Sequence, residues 1–173
     1  MMDFKLIQEK QKELDSKINN HRERNTQDAL ISFIAEVIEW QETMPSSHKT
    51  WKHSVYTRAE QLEEYTDMLF FLTQMYNLNE QEIDLQELKE DDYYIIMKAN
   101  IESFDERVAF NLLINNALSC KISKVTVPDL LMSYLVIAEA MGYTEEDLEK
   151  EYLRKHKINL ERINKKRENG GWK

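Results

Sequence analysis

The 173-residue chain has only 3 Gly, 2 Pro and a single cysteine, Cys120. Tight hairpins draw on Gly and Pro turns, so this scarcity excludes a many-stranded β architecture. One cysteine cannot form an intrachain disulfide, which fits a reducing, cytoplasmic setting. Cys120 stands in no recognisable catalytic context. No apolar run nears the ~18 residues of a membrane span, so no membrane partner is expected. The opening MMDFKLIQEKQKELD is charged from Asp3 onward and lacks the apolar stretch of a signal peptide. Positive charge is also short: 23 Lys and Arg face 32 Asp and Glu, leaving a net charge of −9. Nucleic-acid backbones need a basic face, so no nucleic-acid partner is expected. A glycine-rich phosphate loop is missing too. Acidity still admits an anionic substrate, because carboxylates can hold phosphates through bridging divalent cations.

What the chain has is helix formers: Glu, Lys, Leu, Gln and Met. The pattern predicts an all-α fold, a helical bundle with a four-helix core, in one domain over 1–173. A first helix is expected from about Phe4 to Ile18 and a second from Asn25 or Thr26 to about Glu42. Thr57 with Glu60 forms a capping box that opens a third helix, lasting to about Tyr76. Residues 77–92 read as a loop with room for one short helix. A fourth helix, with a possible break, covers Tyr93 to Leu118. Lys121 to Val127 is β-branched but too short to change the class. Pro128 suits the first turn of a fifth helix ending at Gly142 as C′ residue. Thr144 and Asp147 cap a last helix to about Lys166, and Glu168 to Lys173 reads as a tail.

Four carboxylates carry the chemistry. Glu36 and Glu39 lie about 60° apart on the second helix. They flank an apolar arc of Leu30, Phe33, Ile34, Val37 and Ile38. Glu64 and Asp67 repeat the spacing on the third helix. Glu64 falls inside that helix's apolar arc, between Phe71 and Met75. Burying an unpaired carboxylate is costly, and a shared divalent cation would offset the cost. Mg²⁺ takes hard oxygen ligands and keeps water and phosphate beside a few carboxylates. Such ions would neutralise a triphosphate and acidify a bound water, with one carboxylate as general base. The bland alternative stands beside this: 32 acidic residues produce E-x-x-E by chance, as Glu60 and Glu63 do. Glu42, Glu63 and Glu80 read as solvated.

On the last helix Lys155, Asn159 and Arg162 share an arc of about 60°, bordered by Tyr152 and Ile163. Two cations beside an apolar edge can reach phosphate oxygens, or can simply solvate a surface helix. His21, His48, His53 and His156 show no ligand spacing and read as surface residues. Trp40, Met68, Met75 and Met97 read as core. Trp51 either stacks near a nucleotide or packs between helices.

The blocks AEVIEW (35–40), HKTWK (48–52) and QLEEYTDMLFFL (61–72) resemble the all-α, dimeric dUTPase family, common in phages and related to MazG-type nucleotide pyrophosphohydrolases. QKELDSKI (11–18) resembles its Q-x-x-L-D opening. EYLRKHKINLERI (151–163) resembles its Y-x-x-K-x-x-x-N-x-x-R segment. The blocks cover about 4–76 and 128–166. Residues 77–127 match no block and stand as a family-variable insertion or dimer region. His48 replaces the family's Phe before Lys-x-Trp, and Asn169-Gly170-Gly171-Trp172 replaces its aromatic C-terminal ending.

The resemblance implies hydrolysis of dUTP, and of dUDP, to dUMP. It implies Mg²⁺ held by Glu36, Glu39, Glu64 and Asp67, with Glu39 also the base. It places Gln11 and Asp15 near uracil, and Lys49, Trp51 and Lys52 in the substrate-binding segment between the acidic pairs. Lys155, Asn159 and Arg162 serve the phosphates and sugar. It also implies a homodimer. Two alternatives remain open: a MazG-like or dCTP-type pyrophosphohydrolase, and a phage-encoded helical regulator binding a repressor-type protein.

Overall fold

The computed structural model describes residues 2–18, 22–103, 105–122 and 126–168. Every described element is helical: α1 (Phe4–Lys17), α2 (Thr26–Thr43), α3 (Arg58–Leu78), α4 (Leu85–Glu90), α5 (Asp92–Ala99), a 3-10 turn (Ile101–Ser103), α6 (Glu106–Ile122), α7 (Val127–Ala140) and α8 (Glu145–Glu168). The fold is all-α, as the residue pattern predicts. No helix among the described residues is long and apolar enough to cross a membrane.

Caps fix the helix starts. At α3, Thr57 Oγ1 accepts from the Glu60 N–H, and the Glu60 carboxylate accepts from the Thr57 N–H at 2.7 Å. Asn25 with Asp28 does the same for α2, and Thr126 with Asp129 for α7, whose first turn holds Pro128. The Thr144 Oγ1 accepts from the Asp147 N–H at 3.1 Å at the start of α8. Each cap satisfies N–H groups that the helix itself leaves open. The α7 end is a Schellman closure. Gly142, at φ +78°, donates to the Glu139 carbonyl, and Tyr143 donates to that of Ala138. Glycine is needed there twice over, because a Cβ would also meet Arg58 Nη2 at 2.9 Å.

The third helix sits at the centre, packed on α1, α2, α7 and α8, with α2 its most extensive partner. Trp40 of α2 meets Tyr65 of α3 edge-on at 5.2 Å, and Tyr65 stacks on Tyr134 of α7 at 4.6 Å. The Tyr65 hydroxyl donates to the Tyr134 carbonyl at 2.6 Å, so a fully buried phenol is satisfied. Phe70 stacks on Tyr152 at 4.1 Å and joins α3 to α8. Met68, Met75, Met97 and Trp40 are buried, as read from their periodicity. This packing clamps α2, α3 and α8 together, the three helices that carry carboxylates and cations.

The break allowed for in the 93–118 stretch falls at Asn100 and the 3-10 turn, which separate α5 from α6. Two expectations need correcting. Ile38 is 40% exposed rather than part of the apolar arc, since the side of α2 that is fully buried runs through Phe33, Val37 and Trp40. His156 is buried at 4% exposure, not on the surface: it faces α1, with Nε2 3.7 Å from the Glu13 carboxylate. His48 and His53 are exposed. His21 and the tail after Glu168 lie outside the described residues.

Candidate active site

Helices α2 and α3 bring three of the four predicted carboxylates to one point. Oxygens of Glu36, Glu64 and Asp67 all lie within 4.8 Å of one another, and all three residues are half-buried. Glu39, one turn further along α2, is exposed and stands outside this trio. Its charge nonetheless acts on all three.

The electrostatics follow from crowding. Burial, with repulsion from Asp67, Glu39 and Glu64, pushes the Glu36 carboxyl up to about 8. Burial also raises Glu64 and Asp67, against the pull of Lys155. Like charges this close resist joint ionisation. Lys155 of α8 is buried, donates to Asp67, and lies 3.4 Å from Glu63. One lysine against this many carboxylates leaves negative charge in excess. Clustered hard oxygen donors with an excess of negative charge suit a divalent cation such as Mg²⁺. The residues present therefore fit a metal of that kind.

Beside the carboxylates opens a cavity of about 380 Å³ whose lining includes Glu36, Asp67, Lys155, Asn159 and Arg162. The same lining includes Gln11, Asp15, Arg24 and Gln74, with the apolar Leu14, Phe70 and Phe71. The predicted α1 and α8 residues thus share one cavity with two of the predicted metal ligands. Gln11 Nε2 donates to Asp15 Oδ1 at 2.9 Å, and the Tyr152 hydroxyl donates to Gln11 Oε1 at 2.9 Å. Burial raises the Asp15 carboxyl, while hydrogen bonds from Gln11 and Gln74 and the nearby Arg24 oppose that rise.

Lys49, Trp51 and Lys52 are not brought to this cavity. Lys49 pairs with Glu42, and Lys52 lies 3.6 Å from the same carboxylate. Trp51 is 69% exposed, so it neither stacks in the cavity nor packs between helices. Glu42 and Glu63 are ion-paired rather than merely solvated.

Sequence reasoning missed Arg24, Phe70, Phe71, Gln74 and Lys166 in the cavity wall. Phe71 and Gln74 repeat the Asp67 register at i+4 and i+7, which is the signal that points to them.

A helical bundle whose neighbouring helices converge carboxylates beside a cavity bearing cations is equipped for metal-assisted hydrolysis of phosphorylated substrates. The family model described as dUTPase matches residues 3–166, running through the 77–127 stretch that carries no recognisable block. The chain belongs to the dUTPase family and is an enzyme of the dUTP diphosphatase type. No curated protein matches the chain.

Proposed function

We propose that the chain hydrolyses dUTP, and also dUDP, to dUMP, with Mg²⁺ held by Glu36, Glu39, Glu64 and Asp67. The observation that carries this reading is the three-carboxylate cluster, two of whose members, Glu36 and Asp67, line one cavity together with Lys155, Asn159 and Arg162. When bound, Mg²⁺ supplies neutralisation of the phosphate charge and a more acidic water. Glu39 takes the proton of the attacking water; its exposed position leaves that carboxylate reachable. The water oxygen adds to phosphorus, the bridging P–O bond breaks, and pyrophosphate leaves from dUTP. Lys155 and Arg162 bind phosphate oxygens, and Asn159 serves the sugar. Gln11 and Asp15 meet the base. Lys49, Trp51 and Lys52 act from the connection between α2 and α3, approaching the substrate from outside the cavity.

The chain works as one cytoplasmic domain and as a homodimer. Support for the dimer is apolar surface on two helices that pack together. Ile31 and Ile38 of α2, and Val108 and Leu118 of α6, are each at least 40% exposed. Residues 77–127, which include all of α6, serve as the dimer region.

Pyrophosphate release across dUTP, dCTP, dTTP and dATP, with and without Mg²⁺, tests the activity. Rapid Mg²⁺-dependent turnover of dUTP is expected. Faster turnover of dCTP or a purine triphosphate would assign the site to a different nucleotide pyrophosphohydrolase.

A further inference from the structure

The third helix contributes more to the cavity than its carboxylate. Asp67, Phe71 and Gln74 fall on one face, and Gln74 lies two turns beyond Asp67, about 10 Å along the axis. The face reads carboxylate, aromatic, amide, in the order phosphate, sugar, base of a nucleotide. All three residues line the cavity.

Two buried amides meet at Asp15. Gln11 Nε2 and Gln74 Nε2 both donate to Asp15 Oδ1, at 2.9 and 2.6 Å. The carbonyl of Gln11 accepts from Tyr152. Gln74 is 5% exposed, and its Oε1 is buried without a hydrogen-bond partner among the described residues. A buried carbonyl left open is costly, and in a cavity wall it marks a place for a donor from a ligand. The network also fixes which way the amide points. Turning Gln74 over would set its Oε1 against Asp15 Oδ1, acceptor against acceptor, and lose the 2.6 Å bond.

We infer that Gln74 selects the pyrimidine: its Oε1 accepts the N3–H of uracil, and Asp15 locks the amide so that it cannot turn to suit cytosine. Cytosine presents a bare acceptor at N3. Against a locked carbonyl it forms no bond and meets lone-pair repulsion. Sites built to bond an N–H reject the analogue that lacks it far more strongly than shape alone allows. This assignment rests on the dUTP reading above and adds to it the residue that reads the base.

The test measures kcat/KM for dUTP and dCTP, and calorimetric affinity for dUMP and dCMP. The proteins are the wild type, Gln74→Leu and Asp15→Asn, with circular dichroism melts as the folding check. The wild type is expected to favour dUTP by about 10³-fold or more. Gln74→Leu lowers the dUTP:dCTP ratio at least about tenfold, mainly through dUTP, because only uracil loses a bond. Asp15→Asn frees the amide to turn and lowers the ratio through a relative gain for dCTP. A role confined to packing would weaken both nucleotides alike and leave the ratio unchanged. Should Gln74→Leu fail to fold, Gln74→Met, which keeps the chain length and lacks the acceptor, reads the same ratio. A folded Gln74 variant with the wild-type ratio overturns the inference while leaving dUTP hydrolysis intact. A wild type that ignores dUTP overturns the functional reading itself, and the base-reading role with it.

Discussion

Lys155 on α8 donates to the Asp67 carboxylate on α3, and also to the Glu63 backbone carbonyl at 3.3 Å. It is 8% exposed, and its charge opposes repulsion at Glu36, Glu64 and Asp67 alike. Breaking such a pair leaves the carboxylates uncompensated. Lys155→Met should lower the stability of the metal-free protein by about 3 kcal/mol. Mg²⁺ compensates the same charges, so the gain in melting temperature on adding Mg²⁺ should be larger in the variant. Thermal melts in EDTA and in Mg²⁺ give both numbers. Equal Mg²⁺ increments in the two proteins would mean that lysine and metal do not share the cluster.

Glu39→Gln separates chemistry from folding. The residue is exposed, so its removal should change stability by no more than about 0.5 kcal/mol. Loss of the base should cost about 10²- to 10⁴-fold in kcat. A variant with near wild-type kcat would move the base elsewhere. Parallel thermal melts establish that the fold is kept.

The legible parts of this protein are those set by local spacing. Capping pairs such as Thr57–Glu60 and the Gly142 stop are written within a few residues, and the helices begin and end there. The acidic pairs were visible as i, i+3 spacings, and the half-burial of Glu64 followed from its place on an apolar arc. What depends on helices meeting was not legible. Whether His156 is a surface or a buried residue depends on where α1 lies, and its own neighbours in sequence are charged. Arg24 and Gln74 join the cavity only because α1, α2 and α3 converge. The same convergence admits Glu36, Glu64 and Asp67 to one cluster and leaves Glu39 at the rim. Periodicity on α2 treats Glu36 and Glu39 as equals; the position of α3 distinguishes them.

Metal affinity should depend on pH through Glu36. Its carboxyl titrates at about 8 in the folded protein against an ordinary 4.5, raised first by burial. Over that window the folded state holds more protons than the unfolded chain. Stability from this group is therefore complete below about pH 4.5 and is lost as pH climbs through about 8. The metal-free protein should melt at a lower temperature as pH rises across this window, and Glu36→Gln should flatten the slope. Mg²⁺ needs the deprotonated carboxylate, so its apparent affinity should rise toward pH 8 with release of a proton. Calorimetry in two buffers of different ionisation enthalpy counts that proton. Absence of proton release at neutral pH would remove Glu36 from the ligand set.

Trp51 poses a different question, because it is 69% exposed on a connection whose lysines are already held by Glu42. An indole so bare contributes little to the fold, and Trp51→Ala should leave the melting temperature nearly unchanged. In the proposed function this connection approaches the substrate from outside the cavity, where the indole would cover the nucleotide's exposed side. Aromatic stacking of that kind contributes about 1–3 kcal/mol, so its loss should raise KM for dUTP about tenfold or more with kcat largely kept. Trp51→Phe should restore most of the affinity, since a smaller ring still offers a face. Intrinsic fluorescence provides a second measure, with quenching expected on titration of dUMP into the wild type and much less into Trp51→Phe. An unchanged KM in Trp51→Ala would detach the Lys49–Lys52 segment from the substrate. The exposed indole would then belong to a protein contact, which the oligomeric state of the same variant, measured by light scattering, would reveal.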